Sequence, residues 1–370
     1  MFDRHIWCVV MAGGNGTRFW PVSTVKVPKQ FLPVSGTGAV SRQTGDETFL
    51  GLTLQRFEGL IPPERTVVVT NSRHAALVHG ILPELPQENI LEEPYNRDTA
   101  PCVALAAYTI LKRDPDAVMV VVPSDHMILD VASFREVLST VTGYVRHHDV
   151  LLTIGITPTR PDTNYGYIQT EGNPVADTPI KVKTFTEKPD AELARVFVQS
   201  GEFLWNSGIF VWKADTIRNE IQRYVPQLAA QFKGWEGALD TPAMPVFLSK
   251  AYADIQKISI DYAVMERTDK AWVYPAGFGW YDLGTWESLY SFFPDKDADG
   301  NACKAGSSLL RGCRNNLVLT TAPDKLVAIS GLQGYVVVDT GSTLMICPKD
   351  DRKIREFLSN MALPEYQKYR

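Results

Sequence analysis

Long hydrophobic runs are missing from this 370-residue chain. No stretch approaches the roughly 20 apolar residues that a membrane-crossing helix needs, which excludes a helical span. Positive charge is not in excess either: 37 Lys and Arg stand against 42 Asp and Glu, for a net charge of -5. No broad basic surface for nucleic acid or anionic membrane follows, so any phosphate binding must be local, which favours a small-molecule ligand. Cysteine is scarce. Cys8, Cys102, Cys303, Cys313 and Cys347 are odd in number, widely spaced and free of any CxxC. That excludes a disulfide framework and a structural zinc site, and leaves buried small apolar residues as the reading. The opening MFDRHIWCVVMAGG has too short an apolar stretch for a signal sequence and no small-residue cleavage site. The expectation is a cytoplasmic protein.

What is present begins with residues 11 to 31, MAGGNGTRFWPVSTVKVPKQF. Before it, the apolar IWCVVMA reads as a buried parallel strand; Gly13, Gly14 and Gly16 then let the backbone turn and bring its N–H groups close to an anion. Arg18 can grip phosphate oxygens through its guanidinium fork and Lys29 can place a compact charge on one of them. The segment therefore suits a triphosphate. It is not a Walker A loop, which needs GxxxxGK[ST], nor a dinucleotide fingerprint, because Phe19 stands where the third glycine of GxGxxG would be.

To about residue 155 short β-rich runs alternate with helical stretches: RTVVVT, SRHAALVHGILPEL, RDTAPCVALAAYTILKR, AVMVVVPSD, SFREVLSTVTGYVRH and VLLTIGI. This is βαβ syntax, and continuous Val/Ile runs predict an α/β fold whose parallel sheet carries helices on both faces. A ligand would sit above the carboxyl ends of those strands. From about 156 to 293 the chain is richer in aromatics (YGYIQ, IKVKTFTEKP, FLWNSGIFVWK) and reads as the acceptor-binding half of a domain spanning 1–293. PDKDADGN at 294–301 is the best linker, and 302–370 reads as a small β-rich C-terminal domain, a short coil of parallel strands before a last helix. DKDADG imitates the start of a calcium loop, but Gly306 stands where that loop needs glutamate.

Asp125 ends an apolar strand and Asp282 sits between aromatics before a glycine turn. A carboxylate in apolar surroundings must neutralise, pair or bind a cation, and magnesium takes one or two carboxylates plus substrate phosphates, so the two together make a Mg2+ site if they meet. His126 reads as a satisfied structural histidine, since Mg2+ prefers oxygen. Glu187-Lys188-Pro189 stops a strand and leaves the charged pair at its tip, where Lys188 can hold an acceptor phosphate and Glu187 can accept from sugar hydroxyls; an exposed ion pair before a turn is the plain alternative. Asn206 beside Trp205, and the Tyr165-Gly166-Tyr167 surface, suit a sugar ring, although core packing explains the aromatics equally well. In EEPYNRDTAP a helix starts at Asp98 or Thr99, and Glu92 and Glu93 can face a base whose donors are those of guanine.

Taken in order, MAGGNGTRFWPVS, PKQFL, EEPYNRDTAP, VVPSDH, PDTNYGYI, FTEKP, WNSGIF, SIDYAVME and GWYDLGTW resemble blocks of the sugar nucleotidyltransferases, and within them the mannose-1-phosphate guanylyltransferase branch. The tail KLVAISGLQGYVVVDTGSTLMICP resembles that branch's β-rich extension. The resemblance implies a Rossmann-like fold with a mixed, mostly parallel sheet and a short C-terminal β-helix. It implies an enzyme that transfers GMP from GTP to mannose 1-phosphate, giving GDP-mannose and pyrophosphate with Mg2+ as cofactor; a homodimer fits the added tail. By residue it implies that Arg18 and Lys29 contact nucleotide phosphates, Asp125 and Asp282 hold Mg2+, and Lys188 contacts the sugar 1-phosphate. Gly166, Glu187 and Asn206 would bind the sugar. Ala12 and Gly13 with the Asn96, Arg97, Thr99 and Ala100 turn would bind the base, and Gly14, Gly16, Thr17 and Ser124 complete the implied nucleotide site. Thr24 replaces a usual arginine after WPVS, and Asn164 a usual glycine. The same chemistry on another sugar phosphate or nucleotide, or a non-catalytic regulatory homologue, are the alternatives.

Overall fold

A computed structural model describes residues 3–14, 16, 19–33, 48–293, 295–322, 324–361 and 363–369. Thr17 and Arg18 lie outside the described residues. The first strands are β1 (Ile6–Met11), β2 (Thr66–Asn71), β3 (Ile90–Glu93) and β4 (Val118–Pro123), all mutually parallel in the order β3-β2-β1-β4. Their alternate side chains feed two separate cores. Trp7, Val9, Val67, Val69, Met119 and Val121 enter one, with the helix Thr99–Arg113, while Ile6, Cys8, Val10, Val68, Val118 and Val120 enter the other, with the helix Val131–His147. Both faces being covered is why these strands read as unbroken apolar runs.

After β4 comes a short strand β5 (His126–Ile128), then β6 (Leu151–Ile156), β7 (Gly166–Thr170), β8 (Ile180–Glu187), β9 (Phe203–Lys213) and β10 (Ala271–Ala276). Except for β5 they extend the sheet to nine strands, β3-β2-β1-β4-β9-β6-β10-β8-β7. Parallel pairing dominates the half of the sheet built from β1 to β4. In the other half β9 runs antiparallel between β4 and β6, and β8 is antiparallel to β7 and β10. That reversal brings Asn206, near the start of β9, to the edge where β6 ends: Gly155 pairs with Asn206 and Ile156 with Trp205.

A two-stranded ribbon pairs β5 with β11 (Trp280–Asp282), and its register sets Asp282 opposite His126. Beyond it lies β12 (Ala302–Lys304), followed by β13 (Ser307–Arg311), β14 (Leu317–Thr320), β15 (Leu326–Ser330), β16 (Tyr335–Asp339) and β17 (Leu344–Pro348). Parallel pairs β12 with β14, β14 with β16, and β13 with β15 make the coil expected of the tail. Its interior continues into the rest of the protein: Leu317, Leu319, Val336, Val338 and Ile354 share one core with Phe19, Trp20, Leu283 and Trp286. The Trp20 indole also donates to the Tyr369 carbonyl at 2.7 Å. Asp297, in the calcium-like stretch, accepts through its Oδ1 from the N–H groups of Asp299 and Asn301, as a turn residue does. All five cysteines are free, and only Cys303 is not fully buried. Among the described residues no helix is long and apolar enough to cross a membrane.

Candidate active site

The carboxyl ends of β1, β3 and β4 open into a cleft of about 410 Å³. One wall is the glycine loop, which is clipped in place by the PKQ segment. Gln30 Nε2 donates to the carbonyls of Ala12 and Gly14, both at 2.9 Å, and Thr70 Oγ1 donates to Ala12 at 3.1 Å. Gly16 has φ +50, and a Cβ there would meet the Lys29 main-chain nitrogen and lie 3.0 Å from Gln30 Oε1 and Pro28 Cβ. Only glycine fits. The loop and the PKQ segment are therefore one packed unit, and that unit delivers Lys29.

Lys29 is buried along its stem, with its ammonium 5.0 Å from the Phe49 ring centre. Its Nζ donates to Asp125 Oδ2 at 3.0 Å and lies 4.0 Å from Asp282 Oδ1. The two aspartates, far apart in sequence, thus converge on one cation, and both line the cleft. The β5–β11 ribbon brings them together: Asp125 precedes β5 and Asp282 closes β11. His126 is positioned from behind. Its Nδ1 accepts from the Trp280 indole at 3.1 Å, and its Nε2 stands 3.8 Å from Asp282 Oδ1. Burial holds this imidazole below its ordinary pKa, against the pull of Asp282 and Asp125, so it is a neutral prop for Asp282.

A different cluster, His5, Asp114 and Asp116, is the group of three such side chains close enough for an ion among the described residues. It lies at the opposite, amino end of the strands, where Asp114 is already bonded to His5 at 2.9 Å and to the Trp7 indole at 3.1 Å.

Strand alternation separates the acidic pair at the end of β3. Glu92 is exposed, away from the cleft, whereas Glu93 is buried inside it. A Cβ on Gly13 would lie 2.7 Å from Glu93 Oε2, and Asn96 Nδ2 donates to the Gly13 carbonyl at 3.2 Å. Tyr252 donates to Glu93 Oε1 at 3.0 Å, yet desolvation dominates and pushes the Glu93 carboxyl up to about 8. Gly13, Gly14, Asn96 and Thr99 line the cleft; Ala12 is buried beside them, as are Ala100 at the helix start and Ser124, whose N–H donates to Met11. Arg97 has another task. Its guanidinium donates to the Tyr252 and Ala253 carbonyls, both at 3.1 Å, away from the cleft, because the turn needs an anchor there. Asp98, not Thr99, is the helix cap, at φ 73.

Gly166 pairs with Glu187 across β7 and β8, and its missing side chain leaves room for the Glu187 carboxylate and Asn206. Lys188 is exposed, pairs with Glu187, and sits at φ 50 immediately before Pro189. A left-handed lysine costs about 1–2 kcal/mol, a strain that clusters at ligand sites. Asn206 donates to Asp261 Oδ1 at 2.9 Å. Asp261 lines the same cleft and has no counterpart among the residues picked from the sequence. Its only sequence signal is the SIDYAVME block. Gln30, equally missed, was visible only as part of PKQ.

The family model for nucleotidyl transferases matches residues 7–298, and that for the mannose-phosphate isomerase/GMP-like β-helix domain matches 313–361. The chain belongs to the nucleotidyl transferase family. Within that family, "Mannose-1-phosphate guanylyltransferase 2" of Escherichia coli O157:H7 is 34% identical over 100% of this chain and 77% of its own length. "Alginate biosynthesis protein AlgA" of Pseudomonas aeruginosa is 35% identical over 92% of this chain and 69% of its own. Among solved structures, one named for a mannose-1-phosphate geranyltransferase of Thermus thermophilus superposes with a TM-score of 0.83 at 30% identity, covering 97% of this chain and all of that one. This nucleotidyl transferase therefore has relatives over its whole length, β-rich tail included.

Proposed function

We propose that the chain transfers GMP from GTP to α-D-mannose 1-phosphate, forming GDP-mannose and releasing pyrophosphate. One observation carries the reading: a single cleft is lined by two aspartates that converge on the buried Lys29, between a glycine loop and a strand-tip lysine. Relatives named as mannose-1-phosphate guanylyltransferases supply the substrates. Glu93 faces the base, where N1–H and the exocyclic amine of guanine are donors that a buried carboxylate pairs with.

A phosphate oxygen of the sugar phosphate attacks the α-phosphorus of the nucleotide as the bond to the bridging oxygen breaks, and the electron pair leaves with pyrophosphate. The nucleophile is already an anion, so no general base and no covalent enzyme intermediate are required. What the chain must supply is proximity of two repelling anions and compensation of their charge. Lys188 holds the sugar phosphate, and Lys29 and Arg18 of the signature segment are assigned to the nucleotide phosphates. Gly14 and Gly16 contribute main-chain donors, Thr17 is assigned to the nucleotide with them, and Glu187, Asn206 and Gly166 seat the sugar. Asp125 and Asp282 fit a divalent cation, Mg2+ in this reading: both present oxygen, both line the cleft, and both already converge on one positive charge. Such an ion would neutralise phosphate charge and hold phosphate oxygens in place.

The reaction so proposed is cytoplasmic, where nucleoside triphosphates are held. A homodimer through the tail is part of the proposal: β17, on a sheet edge, exposes Leu344 and Ile346, and light scattering would report the mass. The decisive assay is pyrophosphate release over a grid of nucleoside triphosphates and sugar 1-phosphates, with and without Mg2+. The expected maximum is GTP with mannose 1-phosphate; folded protein silent across the grid would instead make the chain a regulatory binder.

A further inference from the structure

Asn206 is held at both ends of its amide. Its Oδ1 accepts from the Gly208 main-chain N–H at 3.1 Å, and a main-chain N–H can only donate, so the amide cannot turn over. Thr153 Oγ1 lies on the same oxygen at 3.0 Å. The amide nitrogen therefore points the other way, to Asp261 Oδ1 at 2.9 Å. With one N–H on Asp261, Asn206 keeps one for the cleft. Its oxygen is consumed, so a ligand hydroxyl meets it only as a donor.

The carboxylate that fixes this arrangement is itself well placed. Ile260, just before it, donates its N–H to Thr99 Oγ1 at 2.8 Å, while Ile258 exchanges main-chain bonds with Arg97 and Ala100 at 3.2 Å. The segment 258–261 is thus stitched to the nucleotide-side turn and ends in the acceptor half. Asp261 opens the π-helical turn Asp261–Met265 whose Ala263, Val264 and Met265 are buried in the main core. Burial first, then the neighbouring Glu187 carboxylate, raise the Asp261 carboxyl above its ordinary range, with Lys188 pulling the other way. Two acceptor carboxylates and one fixed donor face the same volume.

We infer that Asp261 is a positioning and specificity-determining residue of the acceptor half, orienting the Asn206 amide and offering a second carboxylate to the hydroxyls of the sugar 1-phosphate. A pyranose whose hydroxyls match this donor and acceptor set leaves no group unpaired. An epimer with one hydroxyl reversed strands a buried polar atom, which is the strongest basis for rejecting a near-isostere. The inference rests on the proposed reaction.

The test is steady-state kinetics of wild type, D261N, N206A and the double variant, with mannose 1-phosphate and its C2 epimer glucose 1-phosphate at saturating GTP, and with GTP varied separately. D261N is expected to melt near the wild-type temperature and to lose about tenfold or more in the mannose-over-glucose ratio of kcat/KM, carried by the KM for sugar phosphate. The KM for GTP stays within about twofold, as a residue that touches only the acceptor requires. Because Asp261 acts in part through Asn206, the double variant is expected to lose less than the sum of the singles. An active wild type with an unmoved ratio in D261N, or equal rises in both KM values, overturns this inference alone. If D261N does not fold, D261S replaces it, and failure of both to fold assigns Asp261 to the scaffold and also overturns it. Wild type inactive on every sugar phosphate overturns the functional proposal and this inference with it.

Discussion

Replacing Gly16 by alanine probes the joint on which the glycine loop depends. At φ +50 a side chain costs about 1–2 kcal/mol for the left-handed conformation alone. The added methyl group meets the Lys29 nitrogen, and because that neighbour is backbone it cannot swing aside. Forcing it in place would cost about 1–3 kcal/mol more, as other overpacked sites do. Loop and PKQ segment will instead separate, stretching the two Gln30 bonds and carrying Lys29 off the aspartate pair. A displacement of about 1 Å in a positioning group costs on the order of 10²-fold in rate. Gly16→Ala is therefore expected to lose about 10²-fold in kcat/KM by pyrophosphate release, with about 1–3 kcal/mol lost in denaturant unfolding. Gly143→Ala is the control: a Cβ there meets nothing within 4 Å, it lies within the helix Val131–His147, and alanine should add about 0.5–1 kcal/mol with no change in rate. A Gly16→Ala enzyme within about threefold of wild type would refute the claim that loop and lysine form one unit.

Lys29→Met leaves Asp125 and Asp282 facing one another without their shared cation and should cut turnover by orders of magnitude with the fold retained; circular dichroism beside the rate assay checks this. Lys188→Ala removes a charge-assisted phosphate contact of about 1.5–3 kcal/mol, so the KM for mannose 1-phosphate should rise about 10- to 100-fold. Glu93 gives a pH signature. With its carboxyl raised to about 8 the free enzyme carries it neutral at pH 7, whereas guanine's donors favour the ionised form. The KM for GTP should thus fall as pH rises from 6.5 toward 8.5 and then level, and Glu93→Gln should be flat across that range; a sloping E93Q profile would assign the effect elsewhere. Trp286→Ala opens a cavity in the core that Phe19 and the tail share, at about 3–5 kcal/mol, and should lower the denaturant midpoint of catalytic domain and tail together.

The parallel strands were legible because both their faces are buried, so Val67, Val68 and Val69 form one apolar run although they serve two cores. The β5–β11 ribbon was not. Three residues a side are too few to show a period, yet this pairing alone explains how Asp282 reaches Asp125. β10 was hidden for another reason: Pro275 near its end breaks the usual strand composition. Glu92 and Glu93 could not be separated by composition, since alternation along β3 decides which one faces inward. Arg97, taken with the Asn96 to Ala100 turn as a base contact, directs its guanidinium to two main-chain carbonyls, a partner that no local pattern announces. The PDKDADGN stretch reads as a linker, and its polarity conceals a core running from Trp20 to Ile354 across it. Asp261 was beyond reach because its meaning lies in a contact with Asn206, 55 positions away, which no periodicity announces.

The most direct measurement is the identity of the product. Purified chain incubated with GTP, α-D-mannose 1-phosphate and Mg2+ is expected to yield GDP-mannose and pyrophosphate in equal amounts by mass spectrometry, and Asp125→Asn with Asp282→Asn is expected to yield neither. GDP-mannose absent from the wild-type reaction, or formed undiminished by the double variant, would contradict a guanylyl transfer built on that aspartate pair.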